Sequence, residues 1–437
     1  MLWLDLLLAA RNLVAHRKRT LFLGSAIAAV TGLLVLLGGL TQGIQETMLR
    51  SATTLMTGHV NVGGFFKVTL GMAAPLITEY EKVLQAISGN VPELDYRVVR
   101  GRGFAKGVAE AGGGAMDLIL GGLDIVNEPG FAQVVRLREG SLEGLARPKT
   151  ILLFEEQRER LGVRVGDSLT LSAPTSRGLN NTVDVEVVAV GRNVGLLSSW
   201  SAFVSEATLQ ELYQLRPGSS GVIQLYLKDE DEARPVAERL RGVLAEAGYR
   251  VMDADAQPYF MKLIDKVNKE DWTGQKLDVS TWEDEMSFMS WILQALSALS
   301  TLLIAILAVI VVVGMTNTMW IAIRERTREI GTLRAIGMQR RRVLVLFLVE
   351  AALLGLAGTL AGALLGGLLA ALVNLLALRV PEAVQVFLMN DHLWLSVHPG
   401  AMLEAVLALT LVTTLAAVYP AVRAARLQPV TAMHHVG

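Results

Sequence analysis

The chain has 437 residues, 52% hydrophobic and 19% charged, with a mean hydropathy of +0.44, which is too apolar for an ordinary soluble enzyme and too charged for a chain immersed wholly in lipid. A formal net charge of −1 sets up no global field toward nucleic acid, so no nucleic-acid partner is expected. The absence of cysteine excludes disulfides, thiolate metal sites and a thiol nucleophile.

Residues 1–20 place Leu2, Trp3, Leu6, Leu7, Ala10, Leu13 and Val14 near helical spacing, ahead of Arg17, Lys18 and Arg19. The pattern fits a short amphipathic helix on the inner leaflet, and equally a plain extension of the helix that follows. Residues 21–43 form the first run able to cross a hydrocarbon core of about 30 Å. That run is longer than the core of a secretory signal, so it reads as a retained span.

Residues 44–287 have ordinary soluble composition and predict a domain with its own core. Strand-like alternation marks residues 59–62, 96–99, 103–108, 116–120, 168–171, 183–190 and 222–227, with a hairpin connection at Ala111, Gly112, Gly113 and Gly114. Helical patterns mark residues 77–87, 152–161, 206–215 and 233–247. The expected class is a membrane α-helical protein with four transmembrane helices and a large α+β extracytoplasmic domain inserted between helices 1 and 2.

Residues 288–323 form the second span, with Glu283, Asp284 and Glu285 at its outer mouth as a solvated helix start. The apolar run 292–323 makes a helix of about 48 Å, longer than the hydrocarbon core, so its outer end is expected to project as a stalk. Gln294, Ser297 and Thr301 form a polar stripe there, facing a partner helix, a substrate vestibule or water.

Residues 324–342 carry the most patterned segment. Arg324, Glu325, Arg328, Glu329 and Arg334 bracket apolar Ile330 and Leu333, Gly331 and Gly337 punctuate the run, and Arg340, Arg341 and Arg342 close it. Such a pattern exceeds what a topogenic basic loop requires, and implies that something binds it. Anionic headgroups would attract the arginines but would not explain Glu329, Gly331 and Gly337.

Residues 343–378 form the third span, in which Gly358, Gly362 and Gly366 share one face and predict close helix packing. Glu350 lies inside the membrane boundary, either as a functional carboxylate or as one that snorkels to an arginine of the preceding segment. An outer loop (379–399), a fourth span (400–422) and a tail (423–437) with His434 and His435 complete the chain. The basic clusters before the first span, between the second and third, and after the fourth must share one side. Both termini are then cytoplasmic and the large domain lies outside.

Motifs for chemistry are missing: there is no G-x-x-x-x-G-K-[ST] loop, no H-E-x-x-H, no G-x-S-x-G and no EF-hand spacing. No catalytic, cofactor-binding or metal-binding residue is expected.

The 324–342 segment, followed by Phe347, Glu350 and the glycines of the third span, resembles the signature of the FtsX/MacB-type ABC transporter permeases. Tyr419, Pro420, Ala421, Val422, Arg423, Ala424, Ala425, Arg426, Leu427, Gln428 and Pro429 are similar to the family's C-terminal motif, and residues 151–167 to its outer region. Thr281, Trp282 and Glu283 look most like the lipoprotein-releasing LolC/LolE group. The resemblance implies a non-catalytic permease subunit of a bacterial inner membrane. Residues 324–342 would be a coupling helix docked on a separate ABC ATPase that binds ATP and Mg. The implied partners are two ATPase subunits, a second permease subunit of the same or homologous sequence, membrane lipids, a lipoprotein cargo and a periplasmic carrier. Export of a periplasmic small molecule or peptide, and control of a cell-wall hydrolase by a signalling scaffold, are the alternatives.

Overall fold

The computed structural model describes residues 2–69, 72–110, 113–128, 130–175, 178–381, 385 and 392–426. Ala111, Gly112, most of the outer loop, residues 427–429 of the C-terminal motif, and His434 and His435 lie outside the described residues. Two compact units emerge, one from Met1–Glu46, Gln294–Arg379 and His392–Gly437, the other from Thr47–Leu293 and Val380–Asp391.

Helices α1 (Leu2–Ala15) and α2 (Arg17–Leu55) are separated by a turn at His16. His16 N donates to the Asn12 carbonyl and Thr20 N to the His16 carbonyl, so helical hydrogen bonding carries across the turn. Helix α2 continues past residue 43, where the apolar run ends. Hydropathy marks the length that suits lipid, whereas Ile44, Met48, Ala52 and Leu55 keep one buried face going at helical spacing.

The second unit is built on one mixed sheet. Its strands are β1 (Val60–Thr69), β2 (Met72–Ala74), β3 (Leu94–Ala109), β4 (Ala115–Leu123), β5 (Leu137–Gly140), β6 (Thr150–Phe154), β7 (Ser168–Pro174), β8 (Asn180–Gly191), β9 (Ser201–Ser205), β10 (Val222–Leu227) and β11 (Gly274–Thr281). They run in the order β11-β1-β10-β3-β4-β9-β6-β8-β5, with β2 beside β1 and β7 pairing both β3 and β8. Helices α3 (Tyr80–Ile87), α4 (Phe131–Val134), α5 (Glu155–Leu161), α6 (Glu206–Tyr213), α7 (Ala233–Glu246), α8 (Tyr259–Asp265) and α9 (Trp282–Glu285) lie between the strands. The β4–β9 and β6–β8 pairs are parallel and the others antiparallel.

Two apolar cores share β3. Its first part pairs with β10, Arg100 opposite Val222, and its second with β4, Gly101 opposite Gly122. Leu118, Ile151, Leu169, Val187 and Leu212 fill one core, and Val60, Ile77, Ile223, Val236 and Leu240 the other. The expected strands 96–99 and 103–108 are therefore one strand, which its many glycines and charges disguise.

Three further expectations need correction. Residues 152–154 are strand, not helix, because Ile151 to Phe154 are buried on both faces between β8 and β9 and so show no alternation. Ile77 belongs to a β-bridge with Ser220, and the helix expected from residue 77 starts at Tyr80. Asp284 and Glu285 are not solvated but buried: Asp284 Oδ2 accepts from Thr281 N at 2.9 Å, and Glu285 accepts from Ser280 Oγ at 2.7 Å and Tyr259 N at 3.0 Å. Each buried carboxylate is held by donors that replace its water.

The remaining helices are α10 (Ser290–Glu325), α11 (Thr327–Ala335), α12 (Arg340–Leu376) and α13 (Pro399–Ala425). Helices α2, α10, α12 and α13 are long and apolar enough to cross a membrane. The 36 residues of α10 make about 54 Å of helix. Within the first unit the glycine face of α12 lies on α2. A Cβ on Gly358 would stand 3.0 Å from Ile27 Cβ, and one on Gly362 would run into the Ala28 carbonyl. The predicted small-residue packing is thus a contact between the first and third spans of one chain.

Candidate functional site

The 324–342 segment is not one helix. Arg324 and Glu325 end α10, Arg326 leaves the helical region at φ −106 and ψ 15, and α11 occupies Thr327–Ala335. Gly337 N then donates to the Arg334 carbonyl and Met338 N to the Leu333 carbonyl, the paired closure of a Schellman turn. This turn holds Gly337 at φ +103, where a side chain would be strained. Gln339 follows in extended conformation, and Arg340, Arg341 and Arg342 form the first turn of α12. Glycine thus forces a stop inside what hydrophilic composition presents as one block.

Helix α11 has two faces. Ile330 and Gly331 are buried, and Leu333 and Arg334 half-buried; Arg324, Glu325, Arg328, Glu329 and Gly337 are exposed. Ile336, at the turn, is 80% exposed beside arginines. Arg334 Nε is shielded from solvent without a hydrogen-bond partner among the described residues.

The sequence analysis did not single out Arg326, and it proves central. Its side chain is only 8% exposed; Nε donates to Glu329 Oε2 at 3.0 Å and Nη1 to Glu350 Oε2 at 3.0 Å. The guanidinium also lies 5.7 Å from the centroid of Phe347. Around it Ile323, Ile330, Phe347, Ala351, Ala421, Ala424 and Ala425 form a common core of α10, α11, α12 and α13. Glu350 is therefore paired with an arginine of the segment rather than reaching for water. The signal was available: a carboxylate inside a span needs a cation, and Arg326 and Glu329 stand three residues apart on one helical face.

The C-terminal end of α13 is tied to α10. Arg423 lies 5.6 Å from the Trp320 centroid and 5.8 Å from that of Tyr419, and the two rings meet edge to face. At the other end of α10, Gln294, Ser297 and Thr301 are exposed, and Thr301 Oγ1 donates to the Ser297 carbonyl at 2.8 Å within the helix. The buried hydroxyl is Ser300, 2.8 Å from Thr41 Oγ1 of α2. A cavity of about 430 Å³ does open among α2, α10 and α13, past Val35, Gln42, Ile304, His398 and Leu409, but the stripe does not line it.

Among the described residues no cluster of His, Cys, Asp and Glu could hold a metal ion. The arrangement is a charged helix with an apolar tip, braced from behind by a buried ion pair.

Residues 301–429 match the family described as FtsX-like permease C-terminal. The macrolide export ATP-binding/permease protein MacB of Agrobacterium fabrum is 35% identical over 121 residues, and that of Escherichia coli K12 is 37% identical over 121 residues. Each alignment takes in 28% of this chain, which spans 17% of the length of those relatives. Among solved structures, the extracellular domain of the ABC-type transporter YknZ from Gram-positive bacteria aligns with 43% of this chain and 94% of its own, at 13% identity and a TM-score of 0.29. The periplasmic region of MacB from Actinobacillus actinomycetemcomitans aligns with 47% of this chain and 88% of its own, at 10% identity and a TM-score of 0.30.

Proposed function

We propose that this chain, whose residues 301–429 are an FtsX-like permease domain, is the membrane subunit of an ABC transporter whose ATPase is a separate polypeptide. The observation that carries the reading is the surface of α11 and its turn. Ile336 is 80% exposed among arginines, which lipid tails would not accommodate. A protein groove that takes the isoleucine would cover it.

The basic flanks of the four spans support an orientation with α11 and both termini on the cytoplasmic side of a bacterial inner membrane and the β-sheet unit in the periplasm. Two such permeases, identical or homologous, each dock one ATPase, and ATP with Mg binds there rather than here. Closure of the ATPase pair pushes on α11, and α10 carries the displacement outward as a stiff rod. This chain supplies no catalytic group.

The cargo we favour is a lipoprotein or a similar amphiphile drawn from the outer leaflet and passed to a periplasmic carrier. Thr281, Trp282 and Glu283 at the approach to α10 support this placement near the LolC/LolE group. A second reading, export of a small molecule already in the periplasm, is favoured by the macrolide exporters among the relatives. Purification of the tagged chain from mild detergent, with mass spectrometry and an ATPase assay on the eluate, tests the proposal. A co-purifying ABC ATPase with vanadate-sensitive activity supports it. Its absence, under conditions that preserve a known ABC complex, sinks it and favours a membrane scaffold that acts on a cell-wall hydrolase.

A further inference from the structure

We infer that Arg326 is the joint that fixes the angle of α11 to the spans, and so a positioning residue for coupling: its guanidinium is forked between Glu329 of α11 and Glu350 of α12 at the break that follows α10. The inference rests on the docking reading of α11.

Three features carry it. Arg326 is the non-helical residue between α10 and α11: its N still donates to the Ala322 carbonyl at 3.2 Å and its carbonyl accepts from Ile330 N at 3.0 Å, but φ −106 and ψ 15 interrupt the helix there. Beside those backbone bonds one planar group spans the break, using Nε for Glu329 and Nη1 for Glu350, each at 3.0 Å. A lysine ammonium is a point donor on a flexible stem and cannot reproduce that fork.

The two limbs also differ in exposure. The Glu329 side chain is 62% exposed, that of Glu350 only 4%. A partner that docks on α11 reaches the first carboxylate directly and the second through Arg326. Phe347 under the guanidinium and the alanines of α13 leave little room for another rotamer. A displacement of Glu329 is therefore felt at Glu350, nearly three turns into the third span from Arg340.

The test is Arg326→Lys, which keeps the charge that neutralises Glu350 and removes the fork. Because the chain has no cysteine, spin labels at Thr332→Cys in α11 and Leu364→Cys in α12 report the angle without interference. The parent should give one narrow distance distribution in detergent, and Arg326→Lys a clearly broader one. In the complex with its ATPase, in vesicles of E. coli polar lipid, Arg326→Lys should co-purify as the parent does yet lose about fivefold or more of the stimulated ATP hydrolysis. Glu329→Gln, which loosens only the exposed limb, should fall between the two. An unchanged distribution in Arg326→Lys, or a broadened one with full stimulation, overturns the inference. A parent chain that recruits no ATPase overturns the docking reading instead, and the label distances then still decide whether the fork sets the angle.

Discussion

Gly366 of α12 stands so close to Gly32 of α2 that a Cβ on it would lie 2.9 Å from the Gly32 carbonyl oxygen. Together with Gly358 and Gly362 it lets two backbones touch in lipid, where no hydrophobic drive holds helices together and only close contact does.

Gly362→Val should destabilise the first unit by about 1–3 kcal/mol, because the nearest obstacle is the Ala28 carbonyl, which cannot move aside as a side chain would. Gly38→Ala is the control, since a Cβ there meets nothing within 4 Å. Thermal unfolding of both variants in the same detergent checks the difference; equal midpoints would refute the packing argument.

Ile336→Ser should leave stability within about 0.5 kcal/mol, as expected for an exposed position, while it abolishes capture of the ATPase. Parallel measurement of unfolding and of co-purification separates the two effects. Retained capture would remove Ile336 from the docking surface.

The β-sheet unit should lose stability as pH falls below the ordinary histidine value of 6.5. Burial holds His59 below that value, and its Nδ1 must stay unprotonated to accept from Leu227 N at 3.0 Å. The unfolded chain then binds more protons than the folded one from 6.5 downward, so acid favours unfolding until the folded-state pKa is passed. His59→Gln, whose amide oxygen can accept the same bond, should flatten that part of the stability–pH profile. An identical slope in the variant would show that other groups set it.

Lys262→Met should cost about 3–5 kcal/mol, because it leaves the Asp278 carboxylate buried without the ammonium that lies 3.0 Å away. Burial already pushes the Asp278 carboxyl up, against the pull of Lys262. Lys262→Met with Asp278→Leu should recover most of the loss, and chemical denaturation of the single and double variants measures it. A double variant no better than the single would mean that the pair is not the unit that matters.

Much of this was legible in the sequence because lipid enforces simple rules: length and hydropathy mark four spans, and a four-residue glycine period marks the face on which one of them packs. The β-sheet unit was harder to read. A central strand such as β6, buried on both faces, loses its alternation, and β3 changes partners midway, so that no single period describes it. At the 324–342 segment, composition pointed to α11 and its exposed charges. It did not separate Arg326 from the six other arginines between Arg324 and Arg342, because its distinction is purely spatial. Gly337 divides the segment into helix and turn, and only a buried carboxylate 24 residues away gives that arginine its task.

The sixteen residues of β3 are shared between two of the apolar cores of the sheet unit, and this constrains how the unit can be cut, spliced or deformed. Neither lobe owns a complete sheet, so neither can be excised as a working module, and a chimera that exchanges one lobe must carry a graft point inside a shared strand. Motion between the lobes has to pass through the Arg100–Gly101 junction of that strand, where the β10 ladder ends and the β4 ladder begins. Heat or denaturant should therefore melt the unit in one transition, and an insertion placed in β3 should disable both halves together.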